Sequence, residues 1–149
     1  MLAKDAAAPD FTLGDWRLLE ALKQGPVLLT FFKISCPTCQ LTLPFLQRLA
    51  DDAAALQVVA ISQDDRKGTD QFHRHFKLSL TTLLDPAPAY SASKLYEIRN
   101  VPSMFLIEPD GTISMAETGF SKPHLEQLAG RFGAEVFREG EIVPSFRPG

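Results

Sequence analysis

Blocks of apolar residues with two different periods alternate along this chain. Pro26-Val27-Leu28-Leu29-Thr30-Phe31-Phe32 is rich in the β-branched, aliphatic and aromatic residues of a buried strand. Directly after it, Leu41, Phe45, Leu46 and Leu49 recur at spacings of three and four, which predicts a helix reaching about Ala53. Leu56 to Ile61 predicts a second strand, closed by the polar turn Ser62-Gln63-Asp64-Asp65. Lys67 to Phe76 reads as a helix with Phe72 and Phe76 on one face. Thr81 to Leu84 is a brief strand that Pro86 and Pro88 break off, and Ala89 to Tyr96 a further helix. Met104-Phe105-Leu106-Ile107 and Thr112-Ile113-Ser114-Met115 flank Glu108-Pro109-Asp110-Gly111, the pattern of an antiparallel hairpin about a Pro-Asp-Gly turn. Ser121 is placed to cap a last helix whose apolar face is Leu125, Leu128 and Phe132. Nearer the start, Pro9 to Leu13 reads as an ordered edge and Leu18 to Lys23 as a short amphipathic piece ending at Gln24-Gly25-Pro26. Strand and helix alternating, then a hairpin, then a helix, predict an α/β three-layer sandwich with a mixed sheet.

With 149 residues and no repeat, low-complexity stretch or linker, the chain reads as a single domain over 1–149. Its core spans about 8–132 and an extension follows over 133–149. Fifteen Lys and Arg against eighteen Asp and Glu give a net charge of −3 with no basic stripe, which argues against nucleic acid as a partner. The apolar runs are too short to span a bilayer. Met1 to Asp10 lacks the apolar core of a signal peptide, which predicts a cytoplasmic protein, or an extracytoplasmic one if a leader has been removed.

The chemistry rests on Cys36-Pro37-Thr38-Cys39, which holds both cysteines of the chain. A Cys-x-x-Cys between a strand and a helix places the first sulfur at the helix N-terminus, where free N–H groups and the positive dipole end favour a thiolate. The second sulfur lies one turn along, within disulfide reach of the first. Pro37 suits the first helical position, having no N–H to leave unpaired and a φ already set. This is the pattern of a redox switch, and it fits better than half of a zinc site, which wants four ligands. His73 and His75 are two apart on a predicted helix and point different ways, and His124 opens the last helix, so no metal is predicted and no cofactor. Asp51-Asp52 and Asp64-Asp65 read as solvated acids at a helix end and in a turn, and Phe31, Phe32, Phe105 and Phe132 as core.

These residues resemble the thioredoxin-like superfamily, in particular its TlpA/ResA-like thiol–disulfide oxidoreductase (redoxin) branch. Ala8-Pro9-Asp10-Phe11 is similar to that branch's opening phrase, and Val27 to Cys39 to its active-site strand and motif. Pro44 falls where these proteins often kink the helix. Tyr96 to Ser103, with Val101-Pro102, resembles the segment carrying the superfamily's cis-proline, and Phe105 to Ile113 its following hairpin. The resemblance covers roughly residues 8–132 and implies a thioredoxin-like sandwich. It implies that Cys36 is the nucleophile on a partner's disulfide and that Cys39 resolves the mixed disulfide. It further implies that Pro102 is cis beside the cysteines, against odds of ~5–6% for an X-Pro bond in general. The backbone of Val101 would pair with an extended substrate, so that Pro37, Thr38, Val101 and Pro102 bind clients. The implied partners are protein disulfides and an electron donor, acting on a monomer.

Four positions depart from the resemblance. Thr30 stands where thioredoxins carry a buried aspartate, and Thr42 where the TlpA/ResA branch often carries a glutamate. With both carboxylates missing, the expected proton acceptor for Cys39 is a water held by a threonine hydroxyl. Ser35 replaces the usual tryptophan before the first cysteine, which alters the surface for a reductase. Lys33, in place of a small residue, reads as a solvated lysine ahead of a thiolate stabiliser. The rival enzyme reading is a thiol peroxidase, but Lys33 and Leu29 stand where peroxiredoxins carry threonine and proline. A non-catalytic binding module on the same scaffold is the alternative outside enzymes. Val136-Phe137 and Ile142-Val143, around Gly140, predict an added strand pair or tail over the sheet edge, ahead of a regulatory or docking role.

Overall fold

The computed structural model describes residues 1–149. Two short strands, β1 (Thr12–Leu13) and β2 (Trp16–Arg17), form a hairpin turning at Gly14, and α1 (Leu18–Leu22) follows directly. Then come β3 (Val27–Phe32), α2 (Pro37–Asp52), β4 (Gln57–Ser62), α3 (Arg66–Phe76), β5 (Thr81–Leu84) and α4 (Ser91–Leu95). The chain continues through β6 (Ser103–Ile107), β7 (Ile113–Thr118), β8 (Phe120–Ser121), α5 (Lys122–Phe132) and β9 (Phe146–Arg147).

The central sheet has the order β5-β4-β3-β6-β7, with β3 parallel to β4 and antiparallel to β6. All six residues of β3 are buried, which explains why its sequence is apolar without alternation. The side chains nonetheless alternate between two cores. Leu28 and Phe32 point into a layer with Cys39, Leu43, Leu46 and Leu49 of α2, Phe72 of α3, and Leu125 and Leu128 of α5. Val27, Leu29 and Phe31 point the other way, to α1, Ala92 of α4, Tyr96 and Phe105. The result is the thioredoxin-like α/β sandwich, with α2, α3 and α5 on one face of the sheet and α1 and α4 on the other.

Side-chain caps open α3 and α5. The Asp65 carboxylate accepts the Gly68 N–H at 2.8 Å to open α3, and the Ser121 hydroxyl accepts the His124 N–H at 3.4 Å to open α5. Asp64 accepts the Ile34 N–H at 2.8 Å and ties down the loop before the cysteines, so neither acid of that pair is merely solvated. Helix α4 is shorter than its pattern predicts. Pro86 and Pro88 precede it, and Tyr90 takes a left-handed φ of 42°, so helical geometry begins only at Ser91.

The extension departs from expectation. Val136-Phe137 and Ile142-Val143 form no strand pair. Val136 is buried and the Phe137 ring packs 5.0 Å from Phe45, while Arg48 of α2 makes a two-pronged ion pair with Glu141 at 2.8 Å. Ile142 is fully exposed. The paired segment lies further on, where β9 runs antiparallel to β8, with Phe120 opposite Arg147 and Ser121 opposite Phe146. No helix is long and apolar enough to cross a membrane.

Candidate functional site

Strand β3 delivers the chain to the top of the sheet, and α2 begins one short loop later. Cys36 is the N-cap residue, with extended backbone, and Pro37 takes the first helical position. The Cys36 sulfur accepts the Cys39 backbone N–H at 3.2 Å, one of the otherwise unpaired donors of the first turn. The two cysteines approach to 2.9 Å and are free thiols. Cys36 is partly exposed, whereas Cys39 is completely buried. Burial pushes the Cys39 thiol well above the ordinary thiol range, and the adjacent Cys36 sulfur adds to the shift. One sulfur thus faces solvent at a helix N-terminus, and a protonated partner waits behind it.

The segment before β6 closes the site from a distance of 65 residues in sequence. Pairing of β6 against β3 carries Val101 and Pro102 to the cysteines, and the Cys36 thiol donates to the Val101 carbonyl at 3.5 Å. The Val101–Pro102 peptide bond is cis, and Pro102 is buried. Thr38, also buried, donates its hydroxyl to the Pro148 carbonyl at 2.7 Å. The sequence-derived residues Cys36, Pro37, Thr38, Cys39, Val101 and Pro102 therefore lie together at the N-terminal end of α2.

Two threonines and a lysine resolve differently from one another. The Thr42 hydroxyl donates to the Thr38 carbonyl at 2.7 Å, so its proton is committed within the first turns of α2. Thr30 lies between Leu28 and Phe32 on the Cys39 side of β3, is fully buried, and its hydroxyl has no hydrogen-bond partner. Lys33 reaches Tyr90, with its Nζ 3.4 Å from the phenol oxygen and 5.3 Å from the ring centre, rather than the thiolate. Two of the three histidines take polar partners, His73 meeting Thr82 at 2.8 Å and His124 meeting Glu117 at 2.5 Å, while the His75 ring packs on Phe76.

Asp85 is a supporting residue that the sequence reading missed. It is buried, and its carboxylate accepts the Ala92 and Ser93 N–H groups and the Ser91 and Ser93 hydroxyls at 2.7–3.2 Å. It thereby anchors α4, the element leading to Val101. Its signal was the acid just before Pro86, at the correct distance to serve a Ser-Ala-Ser helix start.

A candidate thiol:disulfide interchange protein DsbE from Chlorobium tepidum superposes with a TM-score of 0.73 at 27% identity, over 88% of this chain and 96% of that one. The thiol:disulfide interchange protein from a Bacteroides species gives 0.74 at 20% identity, over 89% and 91%. The peroxidoxin BcpB of Mycobacterium tuberculosis gives 0.75 at 20%, over 89% and 97%; at that identity these last two speak for the fold alone. No curated protein sequence matches. The AhpC/TSA family matches residues 3–116, which take in the cysteine motif, Val101-Pro102 and the central sheet, and to that family the chain belongs.

Proposed function

We propose that this protein is a thiol–disulfide oxidoreductase that reduces or exchanges protein disulfides through Cys36 and Cys39. The observation that carries the reading is the asymmetry of the pair: a partly exposed Cys36 held by the Cys39 N–H at a helix N-terminus, backed by a buried, protonated thiol. The Cys36 thiolate attacks one sulfur of a client disulfide, whose S–S bond breaks as a Cys36–client bond forms. The departing client thiolate takes up a proton. Cys39 then loses its proton and attacks the Cys36 sulfur, releasing the second client thiolate and leaving a Cys36–Cys39 disulfide. Two electrons have passed to the client, and an external dithiol donor restores the pair. Val101 and Thr38 present main-chain and hydroxyl groups beside Cys36 for an extended client segment. Both sulfurs come from one chain, so a monomer suffices.

The test is equilibration in defined thiol buffers followed by alkylation. A potential near or below about −270 mV marks an electron-delivering reductase and fits a cytoplasmic setting; one near roughly −120 to −180 mV marks a disulfide donor and fits an extracytoplasmic one. Failure of the two cysteines to form an intramolecular disulfide overturns the proposal. The rival peroxidase reading has its own test: a fast second-order reaction of Cys36 with hydrogen peroxide would favour it.

A further inference from the structure

The groove beside Cys36 is already occupied. After Val143 the chain turns back across the top of the sheet, and Ser145 accepts the Lys122 N–H at 2.9 Å. Phe146 and Arg147 pair antiparallel with Ser121 and Phe120. Pro148 then accepts the Thr38 hydroxyl at 2.7 Å, and Gly149 lies so close to the Val101 carbonyl that a Cβ there would collide with it. Gly119 permits the approach from the other side: a Cβ on it would stand 2.5 Å from the Arg147 carbonyl. An extended segment of this chain thus touches Thr38 and Val101, the groups nearest Cys36 that can grip a polypeptide.

The segment is lightly held. Phe146 is 54% exposed, and Arg147, Pro148 and Gly149 are exposed as well. Its hold is main-chain pairing at Ser145, Phe146 and Arg147 plus one hydroxyl bond, with Phe146 more than half exposed. Apart from Gly149, whose missing Cβ allows its approach to Val101, nothing in that hold depends on the segment's own side chains, so another extended segment with a glycine at that place can make the same bonds.

We infer that Ser145–Gly149 is a built-in pseudo-substrate strap, which fills the groove between α2, Val101 and β8 and which an extended client segment must displace to reach Cys36. The inference rests on the oxidoreductase reading above and adds its gate. The groove selects clients by extended backbone with a glycine against Val101, adding a strand to the edge of β8 that β9 otherwise occupies. A strap that leaves roughly 10–30% of molecules open weakens apparent client affinity about three- to tenfold.

The test compares the wild type with two variants: Arg147→Pro, which cannot donate to the ladder, and deletion of 144–149, which decides should the proline variant misfold. Each is checked by its thermal melt. With a disulfide-bridged peptide as substrate, KM is expected to fall about three- to tenfold while kcat changes little. An unchanged or higher KM in a folded variant overturns the strap. Should neither wild type nor variants reduce the peptide, the oxidoreductase reading has failed, and the strap is judged separately by alkylation of Cys36. The rate with a polymer-bearing maleimide relative to N-ethylmaleimide is then expected to rise by a similar factor in the variants, and an unchanged ratio overturns the inference.

Discussion

Cys39 donates its backbone N–H to the Cys36 sulfur at 3.2 Å while keeping its own side chain out of solvent. One helical turn therefore gives the two cysteines unequal duties. Cys39→Ser is expected to accumulate a covalent Cys36–client mixed disulfide, because the attacking sulfur remains and the resolving one is gone. Cys36→Ser should give no adduct at all. Non-reducing gels and intact mass after mixing with a disulfide-bridged peptide check both; a stable adduct on Cys39 would reverse the assignment.

Resolution should depend steeply on pH. Burial holds Cys39 protonated beyond the range of an ordinary thiol, so the attacking form grows as pH rises. The rate at which Cys39 releases a client from Cys36 is expected to climb toward tenfold per pH unit across about pH 7–9. Stopped-flow measurement on a preformed mixed disulfide reads it, and a flat profile would mean that a nearby base already serves Cys39.

Thr30 offers a substitution with opposed effects. Its buried hydroxyl lacks a partner, and an unpaired buried hydroxyl costs about 1–3 kcal/mol. Thr30→Val keeps the shape and should raise stability by an amount of that order. If the hydroxyl holds the water that takes the Cys39 proton, the same variant resolves mixed disulfides several-fold more slowly. Denaturant melts and resolution kinetics on one protein separate the two effects; faster resolution would remove Thr30 from the proton path.

Asp85 should matter to stability without touching the sulfurs. Asp85→Ala strips four acceptor contacts from the start of α4 and is expected to cost roughly 2–3 kcal/mol. Urea unfolding checks this. A loss of that size should loosen the approach to Val101, which peptide KM would register.

Acid stability follows from two ion pairs. Arg48 holds Glu141 at about 2, and Arg131 holds Glu108 below the usual carboxylate range. Both groups ionise more readily folded than unfolded. Their contribution is therefore complete above the ordinary value of 4.5 and is lost as pH falls through the folded values. Melting temperature should drop between about pH 5 and 2, and less so in Arg48→Met, whose Glu141 no longer titrates low. Parallel slopes for the two proteins would contradict this.

The chain's local pattern was enough to place β3, α2 and the β6–β7 hairpin. Six consecutive buried residues, a three-four apolar spacing behind Pro37, and Pro109-Asp110-Gly111 are each governed by neighbours in sequence. The cysteine pair was legible for the same reason, since its chemistry needs only a strand end and a helix start. What the pattern could not carry were elements held by partners far along the chain. Strands β8 and β9 are two residues each, too short for any period, and exist because Phe120 meets Arg147. Which threonine hydroxyl is free depended on whether the Thr38 carbonyl or nothing stood opposite. The sequence by itself determined the redox pair and the sandwich around it. Only the tertiary structure decided that residues 145–149 lie across the groove, because main-chain pairing between distant segments leaves no mark on side-chain periodicity.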